Sequence, residues 1–338
     1  MQIHIIGAGG IGIVVTWALS EAGLDVVLVE QHAAKLAAGQ RDGISVAGRG
    51  RKKIPMLVFS DWQPVSNSIV LLCTKTYDNP EIIQRLQTSS AGNIQLIPIQ
   101  NGFDTALDAL THAGEAIASF VSECERDQPL TRITRPGDLH IGARHTLTAT
   151  EQTAFDQCLD LLVPALAQAD LFSVKQVPDI RPYKAAKLMY NAAISPLAAS
   201  AGVDNAALLS NPQAKRYFFG LLQENHAILK QAGVPLAKIG PFHPDNVVRI
   251  LRTPGLATLL GHFFKPSLHG TYCSMAPDIG TEHTEIDAYN GYLVKLAGNF
   301  PCPLNRAAVT LVKRMTSERL QPHPCRLQTF AELLELAA

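Results

Sequence analysis

Three polar residues lie at helical spacing in an otherwise apolar stretch of the sequence. Lys187, Asn191 and Ser195 follow one another at i, i+4 and i+8 within residues 185–199. A helix with this spacing carries all three side chains on one side. A lysine held there must pair with a carboxylate or lose its charge to desolvation, and either state suits a proton donor. The alternative is a lysine whose ammonium group reaches solvent beside two tolerated polar residues.

A second polar cluster follows in residues 274–292 and contains a candidate partner for the lysine. Ser274 and Asp278 precede the sequence His283-Thr284-Glu285-Ile286-Asp287. Glu285 begins a mostly apolar face of a predicted helix over 284–297. We therefore take Glu285 as the candidate carboxylate for Lys187. The alternative is a helix cap or a surface charge stabilised by the helix dipole.

A glycine-rich motif near the start of the chain predicts a dinucleotide site. The motif G-x-G-x-x-G lies between a predicted strand, 2–6, and a predicted helix, 13–21, with a further strand at 25–30. In such a unit the glycines allow a tight turn, and the helix N-terminus faces the pyrophosphate. An ordinary glycine-rich turn is the alternative. The motif consists of Gly7, Ala8, Gly9, Gly10, Ile11 and Gly12.

The end of the second predicted strand bears on the choice of cofactor. Glu30 stands where an acidic residue accepts hydrogen bonds from the adenosine ribose, and its charge would repel a 2′-phosphate. Gln31 follows, and the next arginine is Arg41. This pattern favours NAD(H). The alternative is that Glu30 is simply a solvent-exposed residue at a strand end.

Two further residues follow apolar runs that are typical of buried parallel strands. Lys75 follows the run 68–74, and Asn101 comes shortly after the run 94–99. Ligands of open α/β sheets bind at the carboxyl ends of the strands. We therefore expect Lys75 and Asn101 to contact the cofactor or the substrate, rather than to be plain turn residues.

The sequence pattern of the remaining residues predicts a domain boundary at Pro178. Residues 116–145 read as further β structure, followed by a helix at 151–169 and a strand at 171–174. Beyond Pro178 the pattern is helical almost throughout, although 233–272 is too rich in proline, glycine and histidine to assign. We predict a Rossmann-type α/β dinucleotide-binding domain, residues 1–178, followed by an all-α domain, residues 179–338.

Composition argues for a small-molecule partner and against several other classes. The 338 residues are 47% hydrophobic and carry 29 basic and 29 acidic side chains, so no net charge attracts nucleic acid or a membrane surface. Six cysteines form no C-x-x-C pair, and no apolar run reaches the ~20 residues of a membrane span. No H-E-x-x-H and no G-x-S-x-G motif occurs. We expect a cytoplasmic protein without a metal site.

The order of the motifs resembles the ketopantoate reductases (2-dehydropantoate 2-reductases) over essentially the whole chain. The shared features are the glycine motif, the strand ending in Lys75, Asn101-Gly102, K-L-x-x-N at 187–191, S-M-x-x-D-I at 274–279, H-T-E-I-D-x-x-N-G at 283–291 and Pro303-x-Asn305. The resemblance implies reduction of 2-dehydropantoate to pantoate by NADPH, in pantothenate biosynthesis, by a monomer or homodimer.

The resemblance also implies roles for individual residues. Lys187 would be the proton donor and substrate anchor, and Glu285 would contact the cofactor and orient the lysine. Lys75 and Asn101 would contact the cofactor. Substrate contacts are implied for Asn101, Asn191, Ser195, Asn205 and Ser274.

Several residues depart from the family pattern and bear on specificity. Ser195 stands where the family usually has an asparagine, and serine cannot donate two amide hydrogens. Glu123 and Glu125 replace small hydroxyl residues, which would bring two carboxylates toward the cofactor site and favour a substrate with a cationic group. The alternative is that both side chains point to solvent, as the alternation along a strand allows. Gln31 replaces a residue that is often arginine in NADPH users. Two alternatives therefore stay open. One is an NAD-dependent dehydrogenase of another 2-hydroxy or imino acid, and the other is a non-catalytic dinucleotide-binding protein on the same fold.

Overall fold

The structure is a computed structural model that describes residues 1–253 and 255–337. Contacts between residues divide the chain into two compact units. The first unit comprises Met1–Gln100 and Thr105–Ile180. The second comprises Asn101–Asp104 and the chain from Arg181 onward. The short segment 101–104 therefore packs with the second unit, although it directly follows a strand region of the first.

The first unit is an α/β domain. Its strands are β1 (Ile3–Ile6), β2 (Val26–Glu30), β3 (Ile44–Val46), β4 (Gly50–Lys52), β5 (Met56–Val58), β6 (Ile69–Leu72), β7 (Gln95–Pro98), β8 (Gly114–Ala118), β9 (Val121–Cys124), β10 (Leu130–Arg135), β11 (Asp138–Ala143) and β12 (Ser173–Asp179). Its α-helices are α1 (Gly10–Glu21), α2 (Ala33–Asp42), α3 (Asn79–Thr88) and α4 (Ala149–Gln168).

The central sheet is parallel, with strand order β5-β2-β1-β6-β7. Its strands are apolar runs because both faces are covered. Ile5 lies in a core cluster with Ile13 of α1 and Phe155 of α4, whereas the next residue, Ile6, lies in a cluster with Ile82 of α3. The Rossmann-type prediction is thereby confirmed. Two smaller sheets, β4-β3-β10-β9 and β12-β11-β8, complete the unit.

The end of the first unit differs in detail from the sequence prediction. The strand predicted at 171–174 is the longer β12, and Pro178, where a break was expected, lies inside it. β12 pairs only with β11 at the edge of its sheet, and an edge strand tolerates a proline. The division between the units falls after Ile180.

The second unit is all-α, as predicted. Its helices are α5 (Arg181–Ala201), α6 (Ala207–Ser210), α7 (Pro212–Gln231), α8 (Pro244–Leu251), α9 (Leu256–Leu268), α10 (Tyr292–Ala297), α11 (Pro303–Ser317) and α12 (Arg326–Ala337). Helix α5 packs against α7, α11 and α12, and its residues 185, 186, 188, 189, 192 and 193 are fully buried. The unassigned stretch 233–272 contains α8 and α9, and its Pro254 lies outside the described residues.

The prediction of a single α-helix over 284–297 is wrong for the first half of that range. Residues Asp287–Gly291 form a π-helical turn, in which the Gly291 N–H donates to the Ile286 carbonyl over 2.9 Å, and α10 begins only at Tyr292. A π turn inserts one residue into the helical repeat, so it changes the direction in which neighbouring side chains point. Within the described residues, no helix combines the length and apolar character that a membrane crossing requires.

Candidate active site

The glycine loop connects β1 to α1 in a conformation that depends on its glycines. Gly7 has φ +102°, a region that side-chain-bearing residues rarely adopt. A Cβ on Gly12 would lie only 1.8 Å from the Gly7 carbonyl oxygen, so the helix packs directly on the loop. A Cβ on Gly9 would meet nothing within 4 Å. The loop thus has close packing beneath Gly12 and open space over Gly9.

The start of α1 suits an anion. The first helical hydrogen bond of α1 runs from the Ile13 N–H to the Gly9 carbonyl, over 3.0 Å. The N–H groups of Gly10, Ile11 and Gly12 consequently have no partner inside the helix. No acidic residue lies in the first turn of α1. The open space and these donors fit the pyrophosphate of a dinucleotide.

Glu30 lies against this loop at the end of β2. Its Oε1 accepts hydrogen bonds from the backbone N–H groups of Gln31 and His32, both at 2.7 Å. Its Oε2 accepts from the N–H of Ala8 in the loop at 3.2 Å. The carboxylate is thereby held in one orientation beside the glycine motif, whereas the Gln31 side chain is exposed.

Lys35 is a residue of this site that the sequence analysis did not assign. It lies in the first turn of α2, is only 9% exposed, and donates from Nζ to the Ala8 carbonyl at 3.2 Å. The Sγ of Cys124 lies 3.4 Å from the same Nζ. Burial raises the pKa of the Cys124 thiol, with the Lys35 charge acting in the opposite direction. The sequence carries no signal for this contact, since a lysine in the first turn of a helix is usually exposed.

Strand β9 turns its small side chains, not its carboxylates, toward the loop. Cys124 contacts Ala8, and a Cβ on Gly10 would lie 2.6 Å from the Ser122 Oγ. Because side chains alternate along a strand, Glu123 points to the other face, where its Oε2 lies 3.6 Å from Arg132 Nη2. The expectation that Glu123 brings a carboxylate toward the cofactor is therefore not supported by this geometry.

Lys75 lies at the carboxyl edge of the central sheet. β1 and β6 are in register, with Ile6 opposite Leu72, so the glycine loop and Lys75 leave the sheet at the same edge. A Cβ on Gly7 would lie 2.9 Å from the side chain of Thr74. The buried Gln100 donates to Thr74 and exchanges hydrogen bonds with Asn79, which fixes this edge of the sheet.

The second unit carries the polar stripe. Lys187 and Asn191 are half-buried on α5, and Ser195 is 2% exposed. The neighbouring Lys184 is more deeply buried than Lys187, at 5% exposed, and its Nζ lies 5.0 Å from the centre of the Phe103 ring. Lys187 is thus the more exposed of the two lysines.

Glu285 is held by a short chain of hydroxyl groups. It is 2% exposed, and its Oε2 accepts a hydrogen bond from the Tyr289 hydroxyl at 3.2 Å. Ser274 Oγ lies 3.0 Å from the same hydroxyl, so Ser274 donates to Tyr289 while Tyr289 donates to Glu285. Burial, followed by the charge of Glu285, raises the pKa of Tyr289 well above its usual value. Tyr289 therefore stays a neutral donor.

Asn205 presents a buried acceptor that no described residue satisfies. Its N–H donates to the Thr271 carbonyl at 2.9 Å, and its Nδ2 donates to the Thr271 hydroxyl at 3.2 Å. Its Oδ1 is buried and has no hydrogen-bond partner among the described residues. A buried amide oxygen in this state can accept a hydrogen bond from a ligand hydroxyl.

The candidate residues divide between the two units. Gly7–Gly12, Glu30, Gln31 and Lys75 belong to the first unit. Asn101, Lys187, Asn191, Ser195, Asn205, Ser274 and Glu285 belong to the second. Within the second unit, Cys273 Sγ lies 3.8 Å from the Ser195 carbonyl, which places the segment preceding Ser274 beside the stripe of α5. Within residues 1–253 and 255–337, no three or more His, Cys, Asp or Glu side chains lie together so that they could hold a metal ion.

Comparison with known proteins gives matches over both units. The model of the family "Ketopantoate reductase PanE/ApbA" matches residues 3–145. The model "Ketopantoate reductase PanE/ApbA C terminal" matches residues 179–316. A 2-dehydropantoate 2-reductase of Aquifex aeolicus (strain VF5) is 24% identical over 325 residues, covering 93% of this chain and 96% of the relative.

Solved structures share the fold at lower identity. A D-mandelate dehydrogenase with NADH and anilino(oxo)acetate is 17% identical, with a TM-score of 0.75 over 95% of this chain and 100% of the other. A PanE/ApbA family ketopantoate reductase from Ralstonia eutropha JMP134 is 21% identical, with a TM-score of 0.73 over 94% of this chain and 99% of the other.

Proposed function

Because the chain belongs to the ketopantoate reductase family, we propose that it reduces a 2-oxoacid to the 2-hydroxyacid with a reduced nicotinamide dinucleotide. The first substrate to consider is 2-dehydropantoate, whose reduction to pantoate serves pantothenate biosynthesis. The observation that carries the proposal is the buried Glu285 carboxylate, held by Tyr289 in the same unit as the Lys187 stripe. In this proposal Glu285 pairs with the Lys187 ammonium group, since a neighbouring opposite charge favours the protonated form that a proton donor requires.

Lys187 is the proton donor in this proposal. A reduced nicotinamide dinucleotide, when bound, would supply the hydride for the C2 carbonyl carbon of the substrate. The Lys187 ammonium group donates a hydrogen bond to the carbonyl oxygen and then a proton to the alkoxide that forms on it. Its half-buried position on α5 suits this role better than that of Lys184, which lies over the Phe103 ring.

Polar side chains of the second unit hold the rest of the substrate. A 2-oxoacid presents a carboxylate that accepts hydrogen bonds, and Asn101 and Asn191 carry suitable donors. Ser274 donates its hydroxyl hydrogen to Tyr289 and offers its oxygen to the substrate as an acceptor. The buried Oδ1 of Asn205, for which the described residues offer no donor, accepts a hydrogen bond from a substrate hydroxyl. This assignment predicts a preference for 2-oxoacids that carry a hydroxyl beyond C2.

Ser195 argues for a substrate bound differently from that of the family's usual members. A serine replaces an amide on the stripe, and its side chain is 2% exposed. Serine offers one donor where the amide offers two. The proposal therefore includes 2-oxoacids other than 2-dehydropantoate. Because Glu123 lies 3.6 Å from Arg132 Nη2, its carboxylate gives no support to a cationic substrate.

The cofactor in this proposal is NAD(H) in preference to NADP(H). Glu30 is fixed beside the glycine loop by three backbone N–H groups. In that place a carboxylate accepts hydrogen bonds from ribose hydroxyls and repels a 2′-phosphate. The only buried cation beside the loop in the described part of the chain, Lys35, already bonds the Ala8 carbonyl. A solved structure of the same fold holds NADH.

The test is a screen of 2-oxoacids, including 2-dehydropantoate, with NADH and with NADPH. The proposal expects turnover of at least one 2-oxoacid with kcat/KM in the ~10⁴–10⁸ M⁻¹s⁻¹ range of enzymes acting on their own substrates. Dinucleotide binding without turnover of any 2-oxoacid would instead favour the non-catalytic alternative. The Lys187→Ala variant serves as the control, since it should bind the dinucleotide and lack the activity.

A further inference from the structure

A proline inside α5 frees a carbonyl group in the middle of the substrate stripe. Pro196 has no N–H, so the carbonyl of Ala192, four residues earlier, lacks its usual donor within the helix. The Nδ2 of Asn290 donates to this carbonyl over 2.8 Å. Asn290 is fully buried and lies in the π-helical turn, 98 residues further along the chain. The side chain thus replaces the hydrogen bond that the proline removes.

Asn290 belongs to a chain of buried amides that contacts α5 twice. Its Nδ2 also donates to Asn305 Oδ1 at 2.9 Å, and Asn305 Nδ2 donates to Asn225 Oδ1 at 2.8 Å. Asn225 Nδ2 in turn donates to the Met189 carbonyl at 2.9 Å. All three asparagines are 0% exposed. The carbonyls they reach, those of Met189 and Ala192, flank Asn191 in the chain.

A carboxylate fixes the direction of every bond in this chain of amides. Glu224 Oε1 accepts from both the N–H and the Nδ2 of Asn305, each at 2.8 Å, and Oε2 accepts from the Leu304 N–H at 3.1 Å. An ionised carboxylate can only accept, so Asn305 must turn its nitrogen to Glu224 and its oxygen to Asn290. Asn290 must then present its nitrogen to Asn305 and to Ala192. The start of α11 is thereby connected to the middle of α5.

We propose that Asn290 is a positioning residue for the substrate stripe. Through the Ala192 carbonyl it holds the part of α5 that carries Asn191, one residue before the bonded carbonyl, and Ser195, one residue before the proline. This inference rests on the proposed function for its kinetic consequence. Asn290 itself acts through α5 and needs no contact with the substrate.

The test is a double-mutant cycle of Asn290→Ala and Pro196→Ala. Removing the Asn290 amide leaves a buried carbonyl without a donor, and we expect KM for the 2-oxoacid to rise about tenfold. The affinity for the dinucleotide should not change, because the glycine loop and Glu30, which would bind its pyrophosphate and ribose, lie in the first unit. Pro196→Ala restores an N–H at residue 196, so in that background the effect of Asn290→Ala on KM should fall below about threefold. An equal effect in both backgrounds overturns the proposal.

Ser200→Ala is the matched control. It removes another buried hydrogen bond of α5, from the Ser200 hydroxyl to the Pro196 carbonyl, without touching the Ala192 carbonyl. We expect it to lower the melting temperature and leave KM unchanged. An equal rise of KM in this control would show that general loosening of α5 is responsible, and would overturn the specific role of Asn290. Should Asn290→Ala fail to fold, Asn290→Ser, which is shorter than asparagine yet polar, takes its place in the cycle.

Amide hydrogen exchange of the α5 peptide gives a measurement that does not depend on turnover. Asn290→Ala should accelerate exchange between Lys187 and Ser195 by about tenfold, and unchanged exchange overturns the proposal. This also separates the two proposals. If the wild-type protein reduces no 2-oxoacid while Asn290→Ala still accelerates exchange in α5, the proposed function is contradicted and the positioning of α5 by Asn290 is supported.

Discussion

The charge of Glu30 gives the sharpest prediction about the cofactor. Its carboxylate is fixed beside the glycine loop by the N–H groups of Gln31, His32 and Ala8. Reorienting it away from a 2′-phosphate would break these three hydrogen bonds. The nearby ammonium group of Lys35 is already engaged with the Ala8 carbonyl and Cys124. A 2′-phosphate would therefore meet a negative charge that cannot easily move.

The size of the effect follows from Coulomb's law. At a separation of ~5 Å and an effective dielectric constant of ~20–35, two unit charges of the same sign repel by about 2–3 kcal/mol. Since 1.36 kcal/mol corresponds to a factor of ten, we expect kcat/KM for NADH to exceed that for NADPH by roughly 30-fold or more.

The substitution that tests this reasoning is Glu30→Gln. It keeps the shape of the side chain and removes the charge, so the NADH:NADPH ratio of kcat/KM should fall at least ~10-fold. The assay is the loss of reduced-nicotinamide absorbance with a saturating 2-oxoacid. Glu21→Gln is the control, because Glu21 lies at the opposite end of α1 and pairs with Lys52. A wild-type preference for NADPH, or a ratio unaffected by Glu30→Gln, would refute the argument.

Three further predictions concern the second unit. Lys187→Ala should lower kcat at least ~10²-fold and leave dinucleotide affinity unchanged, and steady-state turnover within a few-fold of wild type would move the role to Lys184. Tyr289→Phe leaves the buried Glu285 without its 3.2 Å donor and should lower the unfolding free energy by about 1.5–3 kcal/mol, measured in urea; unchanged stability would contradict the role of the hydroxyl. The hydrogen bond from His226 lowers the pKa of Asp245 below its ordinary 3.8, so its stabilisation is present above that value and is lost as pH falls through the lowered pKa. The difference in melting temperature between wild type and Asp245→Asn should therefore shrink on acidification, and a difference that grows would reverse the assignment.

Local sequence patterns were sufficient to predict the architecture of both units. The continuous apolar run ending in Lys75 became β6, whose four residues are all buried, and the periodic stretch around Leu188 became α5. These patterns work because burial on two faces, or on most of a helix surface, dictates which positions are apolar. The π-helical turn at Asp287–Gly291 escaped prediction, since one inserted residue barely disturbs an apolar pattern.

The candidate site was predictable only where a residue type has a recognised chemical meaning. The glycine motif and Glu30 were found because their spacing reflects contacts with a pyrophosphate and a ribose. Lys35 and Tyr289 were not assigned because the sequence does not reveal that Lys35 turns inward to the Ala8 carbonyl or that Tyr289 reaches Glu285. An isolated lysine or tyrosine on a helix is usually interpreted as a surface or core residue.

Asn290 shows why such contacts escape a reading of the sequence. It lies at the end of the second polar cluster, but an asparagine next to a glycine suggests a turn and not a partner for another helix. Its partner is defined by what another residue lacks. Pro196 lacks the N–H that would donate to the Ala192 carbonyl. The Nδ2 of Asn290, 98 residues further along the chain, donates to that carbonyl instead. Since each buried polar group must be satisfied, the freed carbonyl can be deduced from the sequence as soon as α5 is predicted to contain a proline. The identity of the donor cannot, because it depends on how α11 and the π-helical turn pack on α5, which is information that only the folded chain contains.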